Sequence, residues 1–369
     1  MKSKHLKYFF LIWLLYALSS QVQGQQVTKL LNHLPLKISE KLGLLPAPSI
    51  SYKPETKWSY GMALIGSFTP DPLNAVDIST AQLDLVYTIN KQLIIDLDHH
   101  LILKKGKWMF SGSNSFYKYP ELFFPQDLKE DPELIEYQRL EFDNKIFFKI
   151  QGNWYAGLVH RLQYMRSVEF LHAGFFEYEK PTGYQGGIAH GLGIGLSFDQ
   201  RNNVLNPTAG GAFFNLNTGL FSYFLGSQFD FFRIEADYRK YLQIGQNHIL
   251  AFQAYGIFNH GNPPFKLTGE LGGSQIMRGY YLGRYRNRQM LSFQTEIRLA
   301  IYKRIGMTAF ASFGNVADDI FHLTQKLPLA GCGLGLRYML DEKNQANLRL
   351  DFAIGKDSHG IYFGYGEAF

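Results

Sequence analysis

Apolar and polar side chains alternate one by one along most of the chain from about residue 48 onward. In residues 232–238, apolar or aromatic residues alternate with Arg233, Glu235 and Asp237. A period of two is typical of a β-strand, because successive side chains point to opposite faces of a sheet. The pattern therefore predicts an all-β protein. Further clear examples of the alternation are residues 192–198, 291–299 and 348–354.

The polar face of these segments is rich in charge and glycine, strand after strand. A soluble β-sandwich also alternates, but its apolar face turns inward to a core. In a membrane barrel the apolar face meets lipid and the polar face lines a wet interior. Most of the predicted strands have about ten residues or more, which suits a tilted membrane crossing. Because lipid cannot satisfy an unpaired strand edge, the sheet is expected to close.

Sixteen strands are predicted within residues 48–369. They give a 16-stranded antiparallel transmembrane β-barrel with both termini on the periplasmic side, because the number of crossings is even. Long connections then fall outside and short ones inside; the long ones are 118–134, 171–186, 261–288 and 317–329. The first strand is short and flanked by proline. The predicted strands are 48–54, 57–69, 77–89, 91–102, 106–117, 135–151, 154–170, 187–200, 210–222, 227–243, 247–260, 289–302, 305–316, 330–341, 345–355 and 359–369.

Residues 1–24 have the features of a signal peptide for export to the outer membrane of a Gram-negative bacterium. Lys2, Lys4 and Lys7 precede an apolar run at 8–18, and cleavage is predicted after Gly24. The run is too short to span a bilayer comfortably as a helix, although a retained anchor helix is the alternative. Residues 25–47 are too few for a folded domain and are expected to form a short periplasmic lead-in.

Composition agrees with a membrane barrel and argues against several other classes. Aromatic residues make up 16% of the chain, with 31 Phe and 23 Tyr, as expected where rings form girdles at two membrane interfaces. A single Cys allows no intrachain disulfide. The net charge of +6 includes the three signal lysines, so the mature chain is only mildly basic and nucleic acid is not an expected partner.

The connection at 261–288 carries the most specific motif of the chain. It contains Gly272-Gly273-Ser274-Gln275-Ile276-Met277-Arg278-Gly279-Tyr280, followed by an alternating strand with Glu296. This segment resembles the sixth extracellular loop of the outer-membrane protein assembly factors BamA and TamA and of the two-partner secretion transporters, which belong to the bacterial surface antigen superfamily. Their signature is Val-Arg-Gly-Phe/Tyr, and Met277 stands at the Val position. Five predicted strands follow the motif, as the family's sixteen-stranded barrel implies.

Two further segments fit the same resemblance. The set Asp199, Arg201, Asn206, Pro207 and Gly210 is similar to the family's periplasmic turn after an inward Asp. The last predicted strand ends in Phe369, a C-terminal signal of the kind that outer-membrane proteins present to their assembly machinery. The resemblance covers nearly the whole mature chain and implies a BamA/TamA-like barrel, here without the POTRA domains of the assembly machines.

Arg278 is expected to need an acidic partner. A guanidinium on a loop folded into the interior is partly desolvated, and leaving it unpaired is costly. The resemblance implies that this Arg attaches the loop to acidic residues on the following strands, and Glu296 faces inward by the alternation. The family's next inward Asp is missing, since this chain has Ser312-Phe313-Gly314 there. A weakened attachment is therefore expected. Alternatively, Arg278 is one more cation lining the interior.

No enzyme active site is predicted. Gly191, Gly193 and Gly195 alternate within a predicted strand, so they do not form a nucleotide-binding turn and are expected to give the loop room in the interior. The chain has no Gly-x-Ser-x-Gly elbow, which argues against the patatin-type lipases sometimes fused to such barrels. Inward charges of mixed sign indicate no ion preference.

Neither a metal nor a cofactor is predicted. His99 and His100 are neighbours on one strand and point to opposite faces, while His160 and His190 are scattered elsewhere in the chain. Cys332 alternates together with outward apolar residues and is expected to be a small apolar filler rather than a nucleophile.

Two functions remain open at this point. The first is a barrel that assists insertion or translocation of proteins at the outer membrane, with lipid, client outer-membrane proteins or a POTRA-bearing protein as partners. Its mechanism would be physical, with a weak seam between the first and last strands that offers an unpaired edge to a client strand. The second is a passive or gated channel, or a structural subunit of an outer-membrane complex.

Overall fold

A computed structural model describes most of the chain from residue 43 to the end. The predicted signal peptide, and all of the predicted lead-in up to residue 42, lie outside the described residues. The described ranges are 43–53, 57–68, 79–124, 132–170, 174–208, 210–245, 247–342 and 345–369.

The described residues are almost entirely β-structure. Apart from strands there are one short helix, α1 (Phe175–Glu179), and three single turns of 3₁₀ helix at Tyr223–Leu225, Phe265–Leu267 and Phe321–Thr324. No described helix is long and apolar enough to cross a membrane. The strands are β1 (Gly43–Lys53), β2 (Lys57–Phe68), β3 (Ser79–Thr88), β4 (Leu93–Leu103), β5 (Trp108–Phe123), β6 (Glu133–Gln151), β7 (Trp154–Phe170), β8 (Gly187–Asp199), β9 (Ala212–Phe221), β10 (Phe231–Ile244), β11 (His248–Gly261), β12 (Gly269–Leu271), β13 (Tyr285–Asn287), β14 (Gln289–Tyr302), β15 (Ile305–Ala317), β16 (Leu329–Asp341), β17 (Ala346–Gly355) and β18 (Ser358–Tyr365).

Sixteen of the described strands form one sheet, in which each strand pairs antiparallel with the next along the chain. β12 and β13 stand apart as a small hairpin, so β11 pairs directly with β14. The all-β, antiparallel prediction is confirmed. The long connections, including 171–186 and 262–288, lie at one end of the sheet, which we call the loop end. Tight turns such as 152–153 and 303–304 lie at the other, which we call the turn end.

Burial across this sheet is the reverse of that in a soluble protein. Glu296 and Asp351 are fully buried on the face that turns to the interior, which we call the inner face. On the outer face, Leu334 and Phe352 remain 59% and 52% exposed. Contiguous exposed apolar surface of this extent is foreign to a soluble monomer and suits contact with lipid tails.

The first strand begins earlier than the sequence predicts. β1 starts at Gly43, so the last five residues assigned to the lead-in belong to the sheet, and Pro46 and Pro48 lie within the strand. The predicted strand begins at Pro48 and is flanked by proline, a residue that cannot donate to a hydrogen-bonded ladder. It is tolerated here because β1 is at the edge of the paired order, with a partner only in β2.

The last strand ends earlier than the sequence predicts. β18 stops at Tyr365, and Gly366 turns the chain with a φ of +79°. Phe369 then lies buried against Tyr241 and Ala251, on the inner face of β10 and β11. The prediction of a strand through Phe369 is therefore wrong. The tail turns inward because its aromatic ring finds a buried apolar site there.

The two ends of the hydrogen-bonded order meet. The sheet curls so that Cα atoms of β1 and β18 come within 8 Å of each other. In the described residues, however, no ladder joins these strands, and they remain the two ends of the order. We call the contact between them the seam.

Connections occupy both ends of the space that the sheet surrounds. From the loop end, residues 262–288 fold inward, and Leu271, Met277 and Tyr280 are fully buried against the inner face. At the turn end, residues 200–211 reach towards β16 and β17, where the Asn206 Nδ2 donates to the backbone oxygen of Gln345 at 3.1 Å. Segments of the chain thus enter the interior from both ends.

Candidate functional site: the interior loop and its buried arginine

The loop at 262–288 enters the interior through a compact turn. Gly272 has a φ of +113°, and a Cβ there would lie 2.5 Å from the backbone oxygen of Tyr281. Only glycine fits this close approach. Gly272 and Ile276 form an isolated bridge, and the Gly273 N–H donates to the Tyr280 oxygen at 3.1 Å. The turn places Arg278 at its tip.

Arg278 is completely buried and contacts two carboxylates. Its Nη2 lies 2.5 Å from Glu296 Oε2 on β14, and its Nη1 lies 2.6 Å from Asp351 Oδ2 on β17. The guanidinium also lies over the ring of Phe310 on β15, 3.5 Å from its centroid. The sequence pairs Arg278 with Glu296, and the structure places them together.

Asp351 is the residue that sequence reasoning missed at this site. The absence of a carboxylate at Ser312-Phe313-Gly314 was expected to weaken the attachment of the loop. Ser312 instead lies buried on β15, its hydroxyl 3.4 Å from the Gly331 oxygen, and β17 provides the second carboxylate. The alternation identifies Asp351 as inward, but it does not show that β17 brings this residue level with Arg278.

The Arg278 contacts belong to a larger buried network, the charge ring. Arg298 Nε lies 2.8 Å from Glu296 Oε1, and Arg337 Nη1 lies 2.5 Å from Asp351 Oδ1. Glu367 completes the circuit, 2.8 Å from Arg337 and 3.8 Å from Arg298. Charges alternate around the ring, so each buried ion has a partner of opposite sign. Its members are Arg278, Glu296, Arg298, Glu367, Arg337 and Asp351.

Gly279 and Tyr280 dock the loop tip on the last strands. The Gly279 N–H donates to the Tyr362 hydroxyl on β18 at 3.0 Å. A Cβ at Gly279 would lie 2.7 Å from the backbone carbon of Ile354 on β17, so only glycine fits here. The Tyr280 hydroxyl donates to the Ala330 oxygen on β16 at 2.6 Å. The motif therefore joins β16, β17 and β18 to the loop.

A second set of contacts, which we call the second anchor, holds the loop on the opposite wall. Lys266 Nζ lies 2.9 Å from Glu121 Oε1 on β5 and 3.3 Å from Glu270 Oε1 within the loop. The Tyr137 hydroxyl on β6 donates to Glu121 Oε2 at 2.8 Å. The Tyr281 hydroxyl accepts from the Leu122 N–H at 3.2 Å. The loop thus spans the interior from β5 and β6 to the β14–β18 wall.

Comparison with known protein families shows to which family the chain belongs. The Omp85 superfamily domain matches residues 127–369, from the connection before β6 through the interior loop to the last residue. The chain belongs to the Omp85 superfamily. This confirms the BamA/TamA-like resemblance, and members of the superfamily are non-enzymatic assembly and transport barrels of the Gram-negative outer membrane. No curated protein sequence matches the chain.

Solved Omp85-type structures share the fold at low sequence identity. BamA from Haemophilus ducreyi lacking POTRA domains 1–3 is 14% identical, with a TM-score of 0.55 over 88% of this chain and 70% of that one. CdiB from Acinetobacter baumannii is 13% identical, with a TM-score of 0.55 over 87% of this chain. CdiB from Escherichia coli is 10% identical, with a TM-score of 0.55 over 89% of this chain and 67% of that one. This chain spans 59% of the A. baumannii protein.

The Omp85-like turn at 199–211 is ordered by its own charges. Asp199 accepts from Arg201 Nε at 2.9 Å and from its Nη2 at 2.6 Å, and the guanidinium lies over the Phe213 ring. The Pro207 oxygen lies 3.4 Å from Arg298 Nη1. The turn therefore reaches the charge ring. Gly210 has a φ of +52° with open space around it.

The glycine triplet of β8 makes room for aromatic rings rather than for the loop. A Cβ at Gly191 would lie 2.8 Å from the Phe221 ring, and one at Gly195 would lie 2.5 Å from the Phe147 ring. The expectation that these glycines accommodate the interior loop is wrong. The Phe221 ring comes from β9, which pairs with β8, and the Phe147 ring comes from β6, so aromatic side chains occupy the space next to both glycines.

Cys332 and the histidines are the remaining candidates for reactivity or metal binding. Cys332 is free and exposed on the outer face. No group of three or more His, Cys, Asp or Glu in the described ranges could hold a metal. The two histidines that the sequence leaves scattered, His160 and His190, in fact lie side by side, because β7 and β8 are paired.

An exposed ion pair in one of the connections contributes little to the stability of the fold. In the connection between β15 and β16, His322 Nδ1 lies 2.9 Å from Asp318 Oδ1. This hydrogen bond holds the pKa of Asp318 below its usual range. Both side chains are largely solvent-exposed, where an ion pair is screened and contributes little to stability.

Proposed function

We propose that this chain is a closed barrel of the outer membrane, with both termini in the periplasm, that assists the insertion or translocation of proteins there. Omp85 membership and the BamA- and CdiB-like fold support the general class. The observation that carries the finer proposal is the seam. Within the described part of the chain, β1 and β18 lie next to each other but lack the ladder that joins every other neighbouring pair in the sheet.

The composition of β1 supports a weak seam. The nitrogens of Pro46 and Pro48 carry no hydrogen, and residues two apart in a strand direct their backbone groups to the same side. β1 therefore has two fewer backbone donors than a strand without proline, and in the described residues its edge next to β18 carries no ladder. Opening this edge therefore breaks few hydrogen bonds, and its remaining backbone groups can pair with a client strand.

The interior loop gives the two sides of the seam different stability. The Gly279 N–H binds Tyr362 on β18, and Tyr280 binds β16 and the N–H of Lys356, next to β17. The β18 side is therefore held from inside, whereas in the described residues β1 is paired with β2 alone. In this mechanism β1 moves and β18 stays.

The anchored loop argues for this function over passive conduction. The loop spans the interior between two anchored ends, and at the turn end Asn206 and Phe369 contact the inner wall. The expected partners are lipid, client outer-membrane proteins and a POTRA-bearing protein that recruits clients. No bond chemistry, metal or cofactor takes part in the mechanism.

The test is to close the seam covalently in cells depleted of the native protein. With Cys332→Ser as background, Ser49→Cys or Ser51→Cys is combined in turn with Gly360→Cys or Gly364→Cys. The matched control, Ala309→Cys with Leu334→Cys, links register partners on β15 and β16, a ladder that stays closed. Depletion should lower the levels of other outer-membrane barrels. A crosslinked seam should fail to restore them until reductant is added, whereas the control should restore them throughout.

Two results would contradict the proposal. One is that other barrels keep normal levels after depletion. The other is that the oxidised seam pair complements as well as the control does. Steady conductance of the purified protein in a planar bilayer would favour the channel instead.

A further inference from the structure

Two histidines of the outer face form a contact that the proposed function does not use. His160 lies on β7 and His190 on β8, and their Nε2 atoms are 3.2 Å apart. The register explains the contact, since His160 pairs with Leu192 and Leu162 pairs with His190, which makes the two histidines diagonal neighbours. Both point outward, because Val159 and Ala189 next to them are buried on the inner face.

Ionisable side chains at this position cost free energy, because the position faces lipid. Around the pair, Leu158 and Ile194 are 65% and 67% exposed, as expected of residues that meet lipid. Ionisable groups on a lipid-facing surface are rare and usually have a functional reason. A cross-strand contact of two leucines would stabilise β7 and β8 at no such cost.

The orientation of His190 is fixed by a backbone carbonyl. Its Nδ1 lies 2.5 Å from the Leu225 oxygen, in the connection between β9 and β10. A carbonyl only accepts hydrogen bonds, so Nδ1 carries the proton and the neutral ring keeps a lone pair on Nε2, directed at His160. A metal-binding histidine typically donates its other N–H to a carbonyl or carboxylate in this way.

The spacing of the two nitrogens suits a shared metal ion. With metal–nitrogen bonds of about 2.0–2.1 Å, two imidazole ligands lie about 2.9 Å apart at a right angle and about 3.4 Å apart at a tetrahedral angle. The observed 3.2 Å lies between these limits, so the two nitrogens are correctly spaced for one ion once the rings rotate to direct both lone pairs at a point beside the N···N line. Imidazole is a preferred ligand of zinc, copper and nickel.

We propose that His160 and His190 form a two-imidazole site for a divalent transition-metal ion, with Cu²⁺ bound more tightly than Ni²⁺ or Zn²⁺. His190 already has the tautomer that leaves a lone pair on Nε2. His160 moves its proton from Nε2 to Nδ1, so that two neutral rings bind the ion without net proton release. No third His, Cys, Asp or Glu from the described residues joins them, and water fills the remaining positions.

The bound ion joins two strands and one connection. It links β7 to β8 directly, and through the Leu225 carbonyl it orders the 3₁₀ turn Tyr223–Leu225 between β9 and β10. Metal binding is thereby expected to raise the thermal stability of the folded barrel, because it binds a geometry that the unfolded chain lacks.

The test is a Cu²⁺ titration of the folded protein in detergent, without a histidine tag and stripped with a chelator. Calorimetry should show one ion per chain, and electron paramagnetic resonance should show two nitrogen ligands. His160→Gln and His190→Gln should each weaken binding about tenfold or more, since loss of a ligand costs at least as much as loss of a supporting hydrogen bond. Cu²⁺ should raise the Tm of the native protein and not that of the variants.

His99→Gln is the matched control, because it removes an outward imidazole on β4 and leaves the pair intact. It should bind Cu²⁺ as the native protein does. Gel mobility before and after heating verifies that each variant is folded. If the double variant His160→Gln/His190→Gln binds Cu²⁺ as tightly as the native protein, the pair is only a hydrogen bond between strands and the proposal is wrong.

Discussion

At the scale of single residues, some contacts of the buried arginine site could be predicted from the sequence and others could not. Glu296 could be assigned to Arg278 because Arg278 lies in the connection that leads into the strand of Glu296, and the alternation gives the inward direction of Glu296. Asp351 and Glu367 could not, because β17 and the tail reach the ring only after the sheet has curled round. Alternation with a period of two shows on which face of the sheet a side chain lies. It does not show where along the strand direction that side chain lies relative to residues on distant strands.

Replacement of Arg278 is the direct test of the buried network. Arg278→Ala leaves Glu296 and Asp351 buried without their shared cation, and breaking a buried pair costs about 3–5 kcal/mol. The folded fraction, measured by heat-modifiable gel mobility, should fall, and trypsin should cut the loop faster. Arg304→Ala, which removes an exposed ion pair with Glu342, is the control and should behave like the native protein. Native folding and an equally resistant loop in Arg278→Ala would contradict the claim.

Gly279 permits a second test that leaves every charge in place. Gly279→Ala adds a Cβ within 2.7 Å of the β17 backbone, at a φ of +105°, so the loop tip must withdraw. We expect faster proteolysis of the loop and a lower midpoint of unfolding in urea. Gly152→Ala is matched in having a positive φ, but nothing lies within 4 Å of its Cβ. An equal loss in both variants would indicate backbone strain rather than docking.

At the scale of elements, the strands and most of their ends were predictable. Alternation fixed most strand limits to within a few residues, since every crossing repeats the same apolar and polar faces. It failed at β1, where an edge tolerates Pro46 and Pro48, and at β18, where Phe369 leaves the sheet for the interior. The second anchor was also invisible, because Glu121 and Lys266 are 145 residues apart and belong to no motif.

The second anchor should control one end of the loop independently of Arg278. Glu121→Ala removes the partner of Lys266 and leaves the trypsin sites in the loop intact. Cleavage after Lys266 should become faster in limited proteolysis, while the Arg278 end stays protected. Glu179→Ala, at an exposed position of α1, is the control. Protection of Lys266 at the native level would show that the apolar contacts of the loop suffice.

At the scale of the whole molecule, the outer face decides where the protein can fold. Leu334→Arg places a cation on an outward position within β16, where it is expected to cost about 2–4 kcal/mol if that position lies near the middle of the bilayer. Leu327→Arg makes the same change in a connection at the loop end, where Leu327 is 94% exposed. Denaturant titrations of protein folded into lipid vesicles should show a large loss for Leu334→Arg and almost none for Leu327→Arg. Equal effects would mean that the two positions meet the same solvent.

The burial of Phe369 distinguishes the folded protein from a chain that has not yet folded. The site for this ring is built by Tyr241, Ile249 and Ala251, so it exists only after β10 and β11 have formed and the sheet has brought them opposite β18. A newly exported chain displays the aromatic ring, and the completed molecule conceals it. A factor that recognises Phe369 can therefore bind the chain before it folds, but it cannot bind the folded protein through this residue.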